Sequence, residues 1–138
     1  MFSKYFLIFL FSFLAIAINI FIYRNSWLNT KTQISKYIPP GYIVGTIWTL
    51  LFGLLGYIVY RLYNYTSNAS IAIYIFIMFS VLYPFITKLS QNLVSFICNK
   101  IALLLAYIVC YLVYIENREL LVYLLPLFLW ITYVNIVA

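Results

Sequence analysis

Charges fall at wide intervals along this chain, and the stretches between them are apolar almost without a break. Residues 5–23, 37–60 and 62–87 hold no charged side chain. A charge at the centre of a membrane helix costs about 3 kcal/mol, so charges spaced in this way mark the ends of spans. About twenty residues at roughly 1.5 Å each cross a hydrocarbon core about 30 Å thick. The pattern predicts helices near residues 4–24, 41–63 and 70–88. It predicts two more near 93–115 and 119–138, on either side of the polar turn Glu116-Asn117-Arg118-Glu119. Lys4 ahead of an apolar run with Ala15 and Ala17 has some features of a signal peptide. The run continues through Ile20-Phe21-Ile22-Tyr23, longer than a typical leader core, and a retained helix is expected.

Backbone amides in lipid must be satisfied within the protein, and runs that are apolar throughout lack the alternation of barrel strands. The expected fold class is therefore an all-α integral membrane protein, a five-transmembrane-helix bundle in one domain over residues 1–138. Pro84 and Pro126 fall inside predicted helices. Each removes a backbone donor and is expected to kink its helix, which is one way for a bundle to open a cavity.

Residues 25–40, NSWLNTKTQISKYIPP, form the long polar connection of the chain. Trp27, Leu28, Ile34, Tyr37 and Ile38 give it apolar surface enough to lie over the mouth of the bundle as a lid. The same residues suit an interfacial anchor, with Trp27 in the aromatic belt, and both readings stand on the residues alone. Pro39-Pro40 sets an extended approach to the second helix, because a residue before proline avoids the α region.

Composition narrows the function classes. Hydrophobic residues make up 67% of the 138 positions and charged residues only 7%, well under the about 25% of a soluble domain. Such a chain cannot cover a water-facing surface. The net charge of +6 comes from residues set singly between apolar runs. Nucleic-acid binding would need them clustered on one face, so no nucleic-acid partner is expected and the charges are assigned to membrane-lipid headgroups. The side of the first and third connections holds Arg24, Lys31, Lys36 and Lys88, while Lys4, Arg61 and Arg118 share the other with Glu116 and Glu119. The positive-inside bias places the first loop and the C-terminus in the cytoplasm. Lys100, about two turns into the fourth span, can snorkel towards the interface. With no His and no Asp, the chain lacks the usual zinc set, a Ser-His-Asp triad and the aspartates of phosphoryl transfer, so neither a catalytic nor a metal site is expected. Cys98 and Cys110 are about 18 Å apart along one helix, beyond disulfide reach, and are expected to be small buried hydrophobes.

Several motifs stand out within this frame. Trp27, a loop ending in Pro39-Pro40, and then Trp48 eight residues later with Phe52 beyond it occupy the stretch up to Tyr63. The third span holds Ser80-Val81-Leu82-Tyr83-Pro84-Phe85-Ile86, and the last holds Leu124-Leu125-Pro126-Leu127-Phe128-Leu129-Trp130. In order and spacing these resemble the signatures of the TspO/MBR family, the translocator proteins, peripheral-type benzodiazepine receptors and tryptophan-rich sensory proteins. Ser80 and Tyr83 stand where that family usually has Asn and Trp, and Thr87-Lys88 where it has a Phe pair. Asn99 stands in place of a frequent Asp, and Leu127 in place of a frequent Tyr. These departures bear on ligand identity more than on fold.

The resemblance implies a lid-like first loop above a ligand pocket. The implied pocket residues are Trp27, Pro39, Pro40, Trp48, Phe52, Ser80, Tyr83, Leu127, Trp130 and Val134. It also implies a membrane receptor or carrier for hydrophobic aromatic or polycyclic ligands, porphyrin-like or sterol-like, with a sensory, regulatory or tetrapyrrole-handling role, in a chain able to form a homodimer. A cavity walled by Trp and Tyr suits a flat conjugated ring, since ring faces stack and the polar tips can reach a carboxylate or carbonyl. Without His, haem iron would depend on Tyr, Cys or Met, so the expected porphyrin is a metal-free ligand and no obligatory cofactor is assigned. Light-dependent porphyrin breakdown, associated with some members, would originate in the excited ligand, and enzyme turnover is not inferred.

Two other readings remain open: a small transport or channel subunit, with Ser80, Asn99 and Lys100 as midspan polar candidates, and a structural membrane protein whose pocket has decayed. Aromatic residues make up 22% of the chain, and Phe76, Phe79 and Tyr83, like Tyr107, Tyr111 and Tyr114, recur at helical spacing. Such stripes ordinarily face a core or lipid. Gly41 and Gly45 form a small-xxx-small pair that Gly53 and Gly56 extend, and its expected use is helix contact within one chain.

Overall fold

The computed structural model describes residues 6–24, 41–62, 66–87 and 93–137. Its helices are α1 (Phe6–Arg24), α2 (Gly41–Leu62), α3 (Asn68–Thr87), α4 (Leu93–Glu116) and α5 (Leu121–Val137), with a 3-10 turn at Arg118–Leu120 before α5. Ile43–Leu62, Asn68–Ile86, Leu93–Glu116 and Arg118–Ile136 are long and apolar enough to cross a membrane, and Phe6–Ile22 is a shorter apolar helix. Among the described residues there is no strand, and the fold is the all-helical, five-helix membrane bundle predicted from the spacing of charges. The 25–40 connection, and with it the lid reading, lies outside the described residues.

Local chemistry sets the helix ends. Ser67 Oγ accepts from the Ser70 amide at 3.2 Å, satisfying an otherwise orphaned donor at the start of α3. At the end of α4 the Asn117 amide donates to the Val113 carbonyl at 2.7 Å. Asn117 leaves helical geometry there (φ −158°, ψ 94°), and its Oδ1 accepts from the Glu119 amide at 3.2 Å, which turns the chain towards α5.

The helices close a ring in the order α1-α2-α5-α4-α3, with α3 touching both α1 and α2. Leu55, Ile58, Val59, Ile73, Phe76, Val109, Val113 and Leu124 fill its interior, while Phe13, Leu50, Met78, Leu129 and Ile136 point outward. Large apolar groups can face outward here because the surrounding solvent is hydrocarbon. The aromatic stripes part company. Phe76 is buried in the core, whereas Tyr107, Tyr111 and Tyr114 face out. Cys98 is buried and Cys110 partly buried, both as free thiols.

α1 and α2 pack closely along the glycines of α2. A Cβ on Gly56 would lie 2.5 Å from the Leu7 carbonyl oxygen, and one on Gly53 would lie 2.9 Å from Ser12 Oγ. Asn19 Nδ2 donates to the Gly45 carbonyl at 3.0 Å and to Thr49 Oγ1 at 3.3 Å. Thr49 Oγ1 itself donates to the Gly45 carbonyl at 2.9 Å. The small-residue face of α2 is thus used inside one chain, where the missing side chains let two backbones meet.

Candidate ligand site in the membrane span

On its other side α2 meets α5, and each helix contributes a stripe at i, i+3, i+4 and i+7. Ile47, Leu50, Leu51 and Leu54 face Pro126, Leu129, Trp130 and Tyr133 across a groove with a cavity volume of about 540 Å³. Small-molecule pockets span roughly 300–1,000 Å³, and the volume of this open groove falls in that range. The groove opens sideways, towards the position of the lipid, and Leu50 and Leu129 at its edge are 65% and 63% exposed. Pro126 has no amide hydrogen to bond the carbonyl one turn earlier, which weakens α5 where the gap lies.

Aromatic character comes from α5. The rings of Trp130 and Tyr133 are stacked, with centroids 6.1 Å apart and planes inclined by 28°. Trp130 Nε1 is buried and has no hydrogen-bond partner, so the indole is held by its ring contacts alone. Ring carbons wall the groove, and a flat apolar molecule can extend that stack.

A polar cluster occupies the last turns of α3 and α5 and the first turns of α4, at the end of the bundle where α1 stops and α2 starts. Tyr83 Oη donates to Asn99 Oδ1 at 2.9 Å. Asn135 Nδ2 donates to the Asn99 carbonyl at 3.2 Å and to the Ile131 carbonyl at 2.9 Å. Ser80 Oγ, Thr132 Oγ1 and Asn135 Oδ1 are buried without partners. Ser80 and Thr132 each lie three residues before a member of the network, one turn deeper in the bundle. Pro84 cannot donate to the Ser80 carbonyl, which leaves that turn of α3 short of a helical hydrogen bond.

The residues expected to share one pocket are distributed over three surroundings. Trp130 walls the groove. Trp48 turns towards the core and meets the buried Phe52 edge-on, with ring centroids 6.1 Å apart. Leu127 is buried in the same core, and Val134 is partly buried outside the groove lining. Ser80 and Tyr83 belong to the polar end. Trp27, Pro39 and Pro40 lie outside the described residues.

The groove's aliphatic wall, Ile47, Leu50, Leu51 and Leu54, was not legible as a site because stripes of the same spacing occur on every side of so apolar a helix. Beyond Ser80, Asn99 and Lys100, the structure brings in Asn19 and Asn135 as interhelical donors. A side-chain amide inside a span is itself the signal, since hydrocarbon offers it no water. Lys100 stands on the exposed side of α4 with Nζ 4.9 Å from the centre of the Phe96 ring, one turn nearer the helix start, as a snorkelling lysine does. No group of His, Cys, Asp or Glu that could hold a metal occurs among the described residues.

An apolar groove facing lipid and a polar cluster at one end of five apolar helices define a multi-pass integral membrane protein with room for a hydrophobic ligand. The TspO/MBR family model matches residues 6–138, and the chain belongs to that family. No curated protein and no solved structure matches it. Membership supports, in general terms, a ligand-binding or sensory role in a membrane.

Proposed function

We propose that the protein is a receptor or carrier that holds a flat, apolar ring compound, of the porphyrin or sterol class, within its membrane span. The observation that supports this most directly is the stacked Trp130–Tyr133 pair walling an otherwise aliphatic groove of about 540 Å³. Stacking and apolar burial select rings of large area over chains or ions. The orphaned hydroxyls of Ser80 and Thr132 are costly in hydrocarbon, and a ligand oxygen or a water that reached them would remove that cost. Lys100 faces outward, which favours ligand binding over ion conduction along a charged pathway.

Equilibrium titration with protoporphyrin, read from the ligand's own fluorescence, tests this reading on Trp130→Ala and Trp27→Ala. Losing a stacking contact worth about 1 kcal/mol beyond area burial, together with the space left behind, should weaken binding by Trp130→Ala about tenfold or more. Trp27→Ala, in the connection expected to act as a lid, should mainly speed release in stopped-flow measurements. Equal affinity losses would mean that wall and lid are misassigned. Unchanged affinity in both variants would mean that neither tryptophan contacts the ligand. No saturable binding of protoporphyrin to the wild-type protein would remove porphyrin from the ligand class, and direct titration with a fluorescent sterol would then test the alternative ring.

A further inference from the structure

We propose that the α2/α5 groove takes an amphipathic acid, its apolar body between the two helices and its carboxylate or phosphate on Arg61. This narrows the ligand class and rests on the groove being the ligand site. The wall residues span 47–54 on α2 and 126–133 on α5, about 10 Å along each helix at 1.5 Å per residue. One turn beyond Leu54 and one turn before Pro126 the two helices meet. There the rings of Tyr57 and Tyr123 stand edge-on with centroids 5.1 Å apart, and the contact ends the groove on the side where α2 finishes.

Arg61 continues the α2 wall past that contact. It follows Leu54 by two helical turns and so stays on the same stripe. An arginine in the last turn of a membrane helix can run out along its stem to the water. Arg61 lies back along the helix instead: Nη1 donates to Tyr57 Oη at 2.8 Å, and the guanidinium carbon is 5.7 Å from the centre of the Tyr57 ring. The charge is thereby held, half-buried, beside the end of the groove. A guanidinium has five donors in a planar fork, and a bond to one phenol orients it without filling it. A carboxylate or phosphate engages such a fork by two parallel bonds. Charge is otherwise absent from both helices, since α2 carries only Arg61 and α5 carries none. A molecule lying in the groove therefore meets one charge, positive and at one end. An anionic head placed there is paired at the edge of a low-dielectric medium, where a bond between charged groups is strongest, while an uncharged head gains no such bond. A ring acid and the phosphate of an anionic lipid share this chemistry.

Two acid–neutral pairs test the assignment in nanodiscs of neutral lipid: protoporphyrin with its dimethyl ester, and a fluorescent sterol hemisuccinate with the parent sterol. In whichever pair binds, Arg61→Gln should weaken the acid about tenfold and leave the neutral partner unchanged, which also shows that the fold is intact. Arg118→Gln removes an exposed charge from the same end of the bundle and should leave the acid unchanged. Leu129→Trp should weaken acid and neutral partner alike, since both share the groove. Phosphatidylglycerol added to the nanodiscs separates the two sources of the anion. If it lowers acid affinity more in wild type than in Arg61→Gln, the lipid phosphate itself occupies Arg61, and equal lowering assigns the position to free acids. Equal losses for acid and neutral partner in Arg61→Gln would overturn the assignment and leave the groove as a ligand site. So would a loss in Arg118→Gln as large as that in Arg61→Gln, or acid binding indifferent to Leu129→Trp while the neutral partner is weakened. No saturable binding of any of the four compounds to the wild-type protein would overturn the ligand reading itself, and this assignment with it.

Discussion

Along α2, the face towards α1 and the face towards α5 are both uncharged, yet one is closed and the other open. Gly56 brings α2 against the α1 backbone, Gly53 and Gly45 make room for the Ser12 and Asn19 side chains, and Asn19 ties the two helices by bonds to Gly45 and Thr49. Ile47, Leu50, Leu51 and Leu54 hold α5 off and leave a groove. In water both faces would be driven together by apolar burial. In a bilayer the lipid tails are as apolar as leucine, so helices close where small residues permit backbone approach and a polar group can bond, and stay apart where bulky side chains do neither. A gap of that kind is tolerated because lipid can fill it, and the same gap can hold a ligand.

Substitutions on the two faces should therefore have separate consequences. The largest effect is expected from Gly56→Leu, since even a Cβ there would fall 2.5 Å from the Leu7 carbonyl oxygen and backbone cannot yield as a side-chain tip can. A loss of about 3 kcal/mol or more should appear as earlier unfolding in detergent, with ligand binding lost alongside the fold. Wild-type stability in this variant would refute the close seam.

On the open face, Leu129→Trp should fill space without touching the core, because Leu129 is 63% exposed. Ligand affinity should fall about tenfold, or about 1.4 kcal/mol, while the unfolding midpoint holds. A shifted midpoint with unchanged affinity would show that the groove is merely a contact between helices. Asn19→Leu reverses this signature: about 1 kcal/mol of stability should be lost with its two interhelical bonds, and affinity should not change.

The smallest expected effect is that of Tyr83→Phe at the polar end, where a single bond to Asn99 is removed. Interhelical hydrogen bonds in membranes average about 0.6 kcal/mol, so a double-mutant cycle with Asn99→Ala is the measurement that can resolve it. Coupling near zero would mean that Tyr83 holds its place by ring contacts alone.

The number, order and type of the helices could be read from the sequence because a charge in hydrocarbon is so unfavourable that the ends of the spans must carry it. The Trp48, Pro84 and Trp130 motifs were likewise sufficient to reach the family, since their order survives the replaced positions around them. Side-chain direction was not legible. Phe52 and Leu127 are buried, while Leu50 and Leu129, a residue or two away, look out from the groove edge. Trp48 turns to the core and Trp130 to the groove, although both sit in matched motifs. A helix in water shows its inner face by a polar outer one, but lipid asks for apolar residues on both sides and erases that periodicity. Which residues became core, wall or outer face was decided only when the glycines drew α1 onto α2 and α5 was left standing clear.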